Sequence, residues 1–282
     1  MRYIFVFFRL IRYRNLLMIA FTQYFARYFI VGVENSFGEI VTDKNQFLIT
    51  LATVTIAAAG YVINDYFDVK IDLVNKPKDV IIGRYMKRRW AIVIHQSLSV
   101  FGVLLGFFIG WKVFLVNLFA VSLLWFYAER FKRQAFIGNL VVSGLTGASL
   151  VVMAVHYTSG DKLLNIYAVF AFFISLIREI IKDMEDIKGD KKFGCQTLPI
   201  LWGVPKTKQL VWIIMLIFVS VVLSMGFALQ NKILLFVFLL LGIPVSWLAY
   251  ALIKADRKVH FAQLSRLAKW IMLFGISSMA VV

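Results

Sequence analysis

Acidic residues are scarce in this chain. Its 282 residues include 15 Asp and Glu against 31 Lys and Arg, a formal net charge of +16. Cys195 is the only cysteine, so no intrachain disulfide and no cysteine-based metal site is available. The three histidines, His95, His156 and His260, are scattered; they offer no zinc spacing and no partner for a nucleophilic Ser or Cys. His95 and His156 read as interfacial residues near helix ends, and His260 as part of a basic loop. There is no low-complexity linker and no polar stretch long enough for a soluble domain. A surplus of positive charge can signal nucleic-acid binding, but nothing here would carry such a module.

Hydrocarbon is abundant. Hydrophobic residues make up 61% of the chain and the mean hydropathy is +0.81, well above a soluble domain. Continuously apolar runs of membrane-spanning length recur from end to end, which indicates helices rather than an alternating barrel. Nine spans are expected, at about Asn15–Val33, Gln46–Ile63, Trp90–Gly110, Val113–Ala128, Phe136–Tyr157, Leu163–Ile181, Leu210–Leu229, Ile233–Ile253 and Leu267–Val282. With the N-terminus in the cytoplasm, only Arg27, Lys44, Lys112, Lys162 and Lys232 of the 31 basic residues fall on the outer side. That asymmetry is the positive-inside rule, and it also favours anionic lipid. Residues 1–12 alternate Arg with apolar residues, as in a helix lying at the interface; the following apolar run reads as a retained first helix rather than a signal peptide. Arg27, inside the first span, is expected to snorkel outward. The outer loops are short (Glu34–Asn45, the turn near Lys112, His156–Lys162, Gln230–Lys232). The longer inner loops are Asp65–Arg89 and Asp183–Gln209. The expected fold is all-α: a polytopic membrane protein of nine transmembrane helices around a central intramembrane cavity, with two four-helix halves and a ninth helix, residues 1–282 forming one domain.

The few acids are concentrated. Asp65, Asp68 and Asp72 lie in NDYFDVKID, and Asp183, Asp186 and Asp190 repeat the same spacing in DMEDIKGD. With Glu185 these make up close to half of the 15 acids. The copies follow apolar runs four spans apart, at ends that point the same way, which suggests repeated halves. If helix continues past Ile63, Asn64, Asp68 and Asp72 share one face, with Asp65 one turn before Asp68. Like charges at that spacing repel, and carboxylates near a bilayer are costly to desolvate. A hard cation between them relieves both costs. The all-oxygen set suits Mg²⁺ or Mn²⁺. Two such clusters suit a diphosphate shared by two Mg²⁺ ions, with basic side chains completing the shell. Candidates for those are Arg84, Lys132, Arg133, Arg178, Lys182 and Lys188. Tyr61, Tyr66, Phe67, Trp125 and Tyr127 lie near the inner ends of spans two and four, in positions that suit packing or an interfacial belt. A divalent-cation transporter and a lipid-binding scaffold are the rivals from other classes; transport sites lie nearer the membrane midplane.

The paired motifs resemble those of the UbiA-type intramembrane prenyltransferases. The flanks agree: Asn75-Lys76-Pro77 with Gly83-Arg84, Phe131-Lys132-Arg133 with Gly138-Asn139, and Gly194, Thr197-Leu198-Pro199 and Gly203. One departure is Asp79-Val80-Ile81-Ile82, where many members carry Arg-Pro-Ile-Pro-Ser. Arg178-Glu179-Ile180-Ile181-Lys182-Asp183, with Glu185-Asp186 and Gly189-Asp190, looks most like the archaeal-type digeranylgeranylglyceryl phosphate synthase branch. The resemblance implies a Mg²⁺-dependent enzyme at the cytoplasmic membrane, with its site toward the cytoplasm. It would transfer a polyprenyl group, geranylgeranyl in that branch, from its diphosphate to a hydrophobic acceptor. Geranylgeranylglyceryl phosphate is the acceptor expected first, and an aromatic quinone precursor the alternative. Asn64, Asp65, Asp68 and Asp72 would hold one metal ion and Asp183, Asp186 and Asp190 the other. Asp68, Asp72, Asp186 and Asp190 would be central to catalysis, with Arg84, Lys132, Arg133, Tyr127, Lys188 and Asn15 binding substrate. No nucleic acid is expected, and no protein partner is indicated.

Overall fold

In the computed structural model, residues 2–32, 36–157 and 161–281 are described, and helix dominates them. Eight helices are long and apolar enough to cross a membrane. They are α4 (Lys44–Asn75), α5 (Arg88–Ile109), α6 (Trp111–Glu129), α7 (Ile137–His156), α8 (Asp161–Lys192), α10 (Gly203–Ala228), α11 (Lys232–Ile253) and α12 (Lys258–Ser277). The expected first span is built differently. Helix α2 (Tyr13–Ala26) has 14 residues and runs into a π-helical segment, Arg27–Val31; the expected end at Val33 lies outside the described residues. Its α-helical part alone is too short to join the eight. A short N-terminal helix, α1 (Arg2–Leu10), precedes it. The outer loop expected at Glu34–Asn45 holds α3 (Phe37–Thr42), opened by a capping box in which Ser36 and Glu39 satisfy each other's backbone N–H groups; residues 34 and 35 of that loop, 158–160 of the next outer loop and Val282 of the ninth span lie outside the described residues. Helix α9 (Leu198–Leu201) is a single turn.

The chain divides into two compact units, Met1–Lys132 with Val152–Asp161, and Arg133–Val151 with Lys162–Val282. The first contains α1–α6. The second contains most of α7, then α8–α12, so the additional long helix belongs to it.

In the first unit α4 is the hub, packed against α2, α5 and α6. Small residues allow the close approach, as membrane helices require when no aqueous hydrophobic drive exists between them. A Cβ on Gly60 would meet Leu124 at 2.7 Å, and one on Gly102 would meet Ile56 at 2.6 Å. Buried polar groups add specific links: His95 Nδ1 lies 3.0 Å from the Ala59 carbonyl, and Asn117 Nδ2 donates to the Gly102 carbonyl at 3.2 Å. His95 is thus a helix-packing residue, buried rather than interfacial.

Arg27 does not simply snorkel. Its guanidinium donates through Nε (3.2 Å) and Nη2 (3.0 Å) to Asp43 Oδ2, and lies 4.8 Å from the Tyr157 ring centre. The Tyr157 hydroxyl donates to the same oxygen at 3.1 Å. Asp43 also caps α4, accepting from the N–H groups of Asn45 and Gln46. Burial pushes the Asp43 carboxyl up, but the Gln46 N–H and the Arg27 and Tyr157 hydrogen bonds outweigh it and hold the group below its ordinary value.

In the second unit a continuous apolar core joins α8, α10, α11 and α12. The outer end of the Phe170 ring of α8 fills the space where Gly275 of α12 has no side chain; a Cβ there would come 2.0 Å from Phe170 Cζ. Beside it the Tyr167 hydroxyl and Ser278 Oγ are 2.8 Å apart. Gly275→Ala should therefore force Phe170 to move and cost about 1–3 kcal/mol by overpacking. Thermal unfolding of purified protein in detergent checks this: the expected result is a lower midpoint for Gly275→Ala, restored in part by Phe170→Leu.

Candidate active site

Both acidic motifs lie on helix. Helix α4 runs through Asn75 and α8 through Lys192, so Asp65–Asn75 and Asp183–Lys192 are helical extensions where loops were expected. The extra turns place Asn64, Asp68 and Asp72 at i, i+4 and i+8 on one face of α4.

Asp68 is 3% exposed. Its Oδ2 accepts from Asn64 Nδ2 at 2.8 Å and from the Lys132 ammonium, which also donates to Asn64 Oδ1 at 3.2 Å. Lys132 comes from the 3₁₀ turn Phe131–Arg133 that follows α6. Burial, the largest single influence, would lower its pKa; the charge and hydrogen bond of Asp68 together with Tyr127 and Asp72 outweigh it and raise the pKa. Lys132 is a permanent cation here, and Tyr127 and Asp72 lie within its field.

Asp65 has a different partner. Arg12 Nη2 donates to Asp65 Oδ1 at 2.7 Å, and the guanidinium lies 5.0 Å from the Tyr61 ring centre. Arg12 joins α1 to α2 in a left-handed conformation, φ 52° and ψ 52°. That is uncommon for a residue with a Cβ, and it is held by the ion pair and by buried Leu10 and Ile11 beside it. Three residues before Arg12, the Arg9 side chain reaches the loop after α4, donating to Asp79 Oδ1 (2.6 Å) and to the Lys78 carbonyl (2.9 Å). Val80 is buried, and Ile81 and Ile82 are buried in one cluster with Leu10, Ala58 and Val62. The loop's unusual sequence is thus a docking site for the N-terminal helix.

In the second unit Asn139 of α7 donates through Nδ2 to Asp183 Oδ2 at 2.8 Å. Glu179, Asp190 and Lys182 act electrostatically on the same carboxylate. Asp190 is buried, and its carbonyl accepts from Cys195 N at 3.0 Å. Gly194 (φ 72°) and Gly203 (φ 77°) take the left-handed conformation that ends α8 and opens α10. Between them Gln196 N donates to the Arg133 carbonyl at 2.8 Å. The glycines and the Thr-Leu-Pro turn therefore fix the backbone just after the second motif.

The remaining candidates are more peripheral. Arg84, Arg133 and Lys188 are exposed; the Arg84 guanidinium stacks 5.5 Å from Tyr85. Asn15 is half-buried in α2. Phe67 packs edge-on against Tyr66 and Trp125, and Trp125 against His95. Arg12 and Arg9 escaped the sequence reading, since neither has a spacing that points to Asp65 or Asp79. The Gly138-Asn139 pair in the family resemblance was the one signal for Asn139.

The donor set fits a magnesium ion. Among the described residues no three acids or imidazoles gather into a closed metal cage. Mg²⁺ does not need one; it is usually held by one or two carboxylates together with substrate phosphates and water. Asn64 Oδ1 and Asp68 Oδ2 already converge on one cationic centre, the Lys132 ammonium. A divalent ion placed on these oxygens would have to displace that ammonium, which is then available to an anion.

The fold and site define a class: all-α polytopic membrane proteins in which two long helices end in matching aspartate stripes. The chain belongs to the UbiA prenyltransferase family, whose model matches residues 29–273. It is 36% identical over 181 residues to the digeranylgeranylglyceryl phosphate synthase of Thermococcus sibiricus, a match spanning 64% of this chain and 64% of that one. A solved structure concerned with digeranylgeranylglyceryl phosphate synthase in membranes superposes with a TM-score of 0.77 at 24% identity, covering 100% of this chain and 98% of that one. A UbiA homologue from Archaeoglobus fulgidus bound to DMAPP and Mg²⁺ superposes with a TM-score of 0.68 at 15% identity, covering 98% and 99%. At these identities the structural likenesses establish the fold.

Because Lys132 competes for Asn64 and Asp68, Lys132→Met should tighten Mn²⁺ binding by about tenfold in the absence of diphosphate, the equivalent of one charge-assisted hydrogen bond. Asp68→Asn should abolish that gain. Isothermal titration with the detergent-solubilised protein checks both.

Proposed function

We propose that the chain transfers a geranylgeranyl group from its diphosphate to the hydroxyl of geranylgeranylglyceryl phosphate, with residues 1–282 acting as one membrane-embedded domain. The observation that carries this reading is the Asn64–Asp68–Lys132 constellation, oxygen donors and a basic side chain meeting at the end of an acid-bearing helix in a UbiA-family chain. The naming of the Thermococcus sibiricus relative supports the acceptor, and the ligands of the Archaeoglobus fulgidus homologue support a prenyl diphosphate and Mg²⁺.

In this reading Asn64, Asp68 and Asp72 hold one Mg²⁺ and Asp183, Asp186 and Asp190 another. When bound, these ions supply charge neutralisation that makes diphosphate a better leaving group. Asn139 orients the Asp183 carboxylate for its ion. Asp65, committed to Arg12, ties the acidic end of α4 to the N-terminal segment. Lys132 turns from Asp68 to the diphosphate and stabilises the negative charge that develops as the allylic C–O bond breaks and its electron pair leaves with the diphosphate. The acceptor oxygen then forms the new C–O bond and its proton passes to the released diphosphate. Apolar helices exclude water from the allylic cation. In this reading α2 with its π-helical continuation is the ninth span, and the N-terminus and both acidic helix ends face the cytoplasm across the cytoplasmic membrane, as the distribution of basic residues favours.

The test is incubation of purified protein with Mg²⁺, geranylgeranyl diphosphate and a panel of acceptors, with products read by mass spectrometry. Ether-lipid product and released diphosphate are expected. Asp68→Asn and Asp186→Asn should each lower turnover by at least about 100-fold, as loss of an electrostatic stabiliser does, with unchanged expression. Full activity in either variant sinks the two-metal reading. Product with an aromatic acid acceptor alone would replace the acceptor assignment.

A further inference from the structure

The second acidic helix carries charges that the metal reading does not use. On α8, Arg178 and Lys182 both reach Glu179: Arg178 Nη1 donates to its Oε1, and Lys182 Nζ lies 3.4 Å from its Oε2. These side chains are 19%, 26% and 10% exposed, so they are not a solvated surface patch. Glu179 lies one turn before Asp183, on the apolar side of the motif. At about 100° per residue, Arg178, Lys182, Asp186, Glu179, Asp190 and Asp183 follow one another around roughly 140° of the helix. The bases occupy one edge of that arc and the metal-ligand acids the other. One donor in this network is not matched: Arg178 Nε is buried and has no acceptor among the described residues. A buried guanidinium N–H without an acceptor is costly, and the edge of the fork that carries it suits two oxygens of a tetrahedral anion.

We propose that Arg178 and Lys182 form a phosphate-recognising shoulder on α8 that selects an acceptor carrying a phosphate monoester, and that Glu179 is the positioning residue that holds both cations for it. This rests on the proposed transfer reaction and adds the basis of its acceptor choice. A phosphate monoester brings close to two negative charges at neutral pH, more than the carboxylate of an aromatic acid. It would be repelled by the acid stripe and received by the basic edge. The donor's diphosphate offers the same chemistry, but the proposed reaction gives it Lys132 as its basic partner.

The experiment compares geranylgeranylglyceryl phosphate with unphosphorylated geranylgeranylglycerol. It uses wild type, the double variant Arg178→Gln/Lys182→Met, and Arg178→Lys, which keeps the charge and loses the fork. Binding of each acceptor is measured without Mg²⁺ or donor, and kcat and KM are measured for acceptor and donor. Wild type should favour the phosphorylated acceptor by at least about 100-fold, as sites built around a polar group do. The double variant should raise the KM for the phosphorylated acceptor at least about tenfold, with the donor KM unchanged, and so lose most of the preference. Arg178→Lys should fall between. A shift in the donor KM instead assigns the shoulder to diphosphate and overturns the proposal. So does equal wild-type binding of the two acceptors, or an equal loss with both acceptors in the variants, which marks a structural role. If wild type releases no diphosphate, the transfer reading fails, and the binding comparison still decides the shoulder. If the double variant does not fold, wild type and Arg178→Lys carry the comparison.

Discussion

Carboxylates in a row along a helix repel one another, and a bilayer edge offers little water to screen them. The organisation of both acidic helix ends follows from that cost. On α4 the charge of Asp68 is met by Lys132 and that of Asp65 by Arg12, so neighbouring acids of one motif are divided between two cations from different parts of the chain. On α8 Asp183 is oriented by a neutral amide, Asn139, and the cations sit one turn deeper on Glu179. The two motifs share a spacing but not a solution. The first has its basic partners delivered by loops and by the N-terminal segment. The second carries its own on the same helix.

That difference bears on role. In the proposed reaction a cation outside the acid-bearing helix leaves the carboxylates when a metal ion and substrate charge arrive. A cation on the helix itself stays in register with the acids. Lys132 and Arg178 are therefore different tools, although both are basic residues beside an acidic motif. The N-terminal segment belongs to the same economy of charge: Arg9 and Arg12, three residues apart, tie α1 to the loop after α4 and to Asp65.

Much of the architecture was legible in the sequence because membranes impose coarse rules. Apolar runs marked the long helices, and the repeated aspartate spacing marked the ends of α4 and α8, which carry the acids. Continuation of α4 and α8 past the apolar runs was only conditional, because hydropathy reports where lipid ends and not where hydrogen bonding ends. The first span was read as one uniform helix; the π-helical segment after Ala26 has no composition signature. Arg27 was expected in the headgroups because its partner Asp43 lies beyond the span, and Tyr157 is far away in sequence. The pairings Arg12–Asp65 and Asn139–Asp183 were invisible for the same reason: long-range contacts leave no local periodicity. His95 looked interfacial from its place near a helix start, and only packing against α4 shows it as a buried link.

The turn that closes α8 has a further consequence. Cys195 is 5% exposed, and its amide holds the Asp190 carbonyl. The chain's one thiol is therefore a concealed reporter inside the segment that fixes the last acid of the second motif. Reagents in solution can reach it only when that turn opens. Its alkylation rate is a clock for the loosening of α8's end, readable in the native chain without introducing a probe.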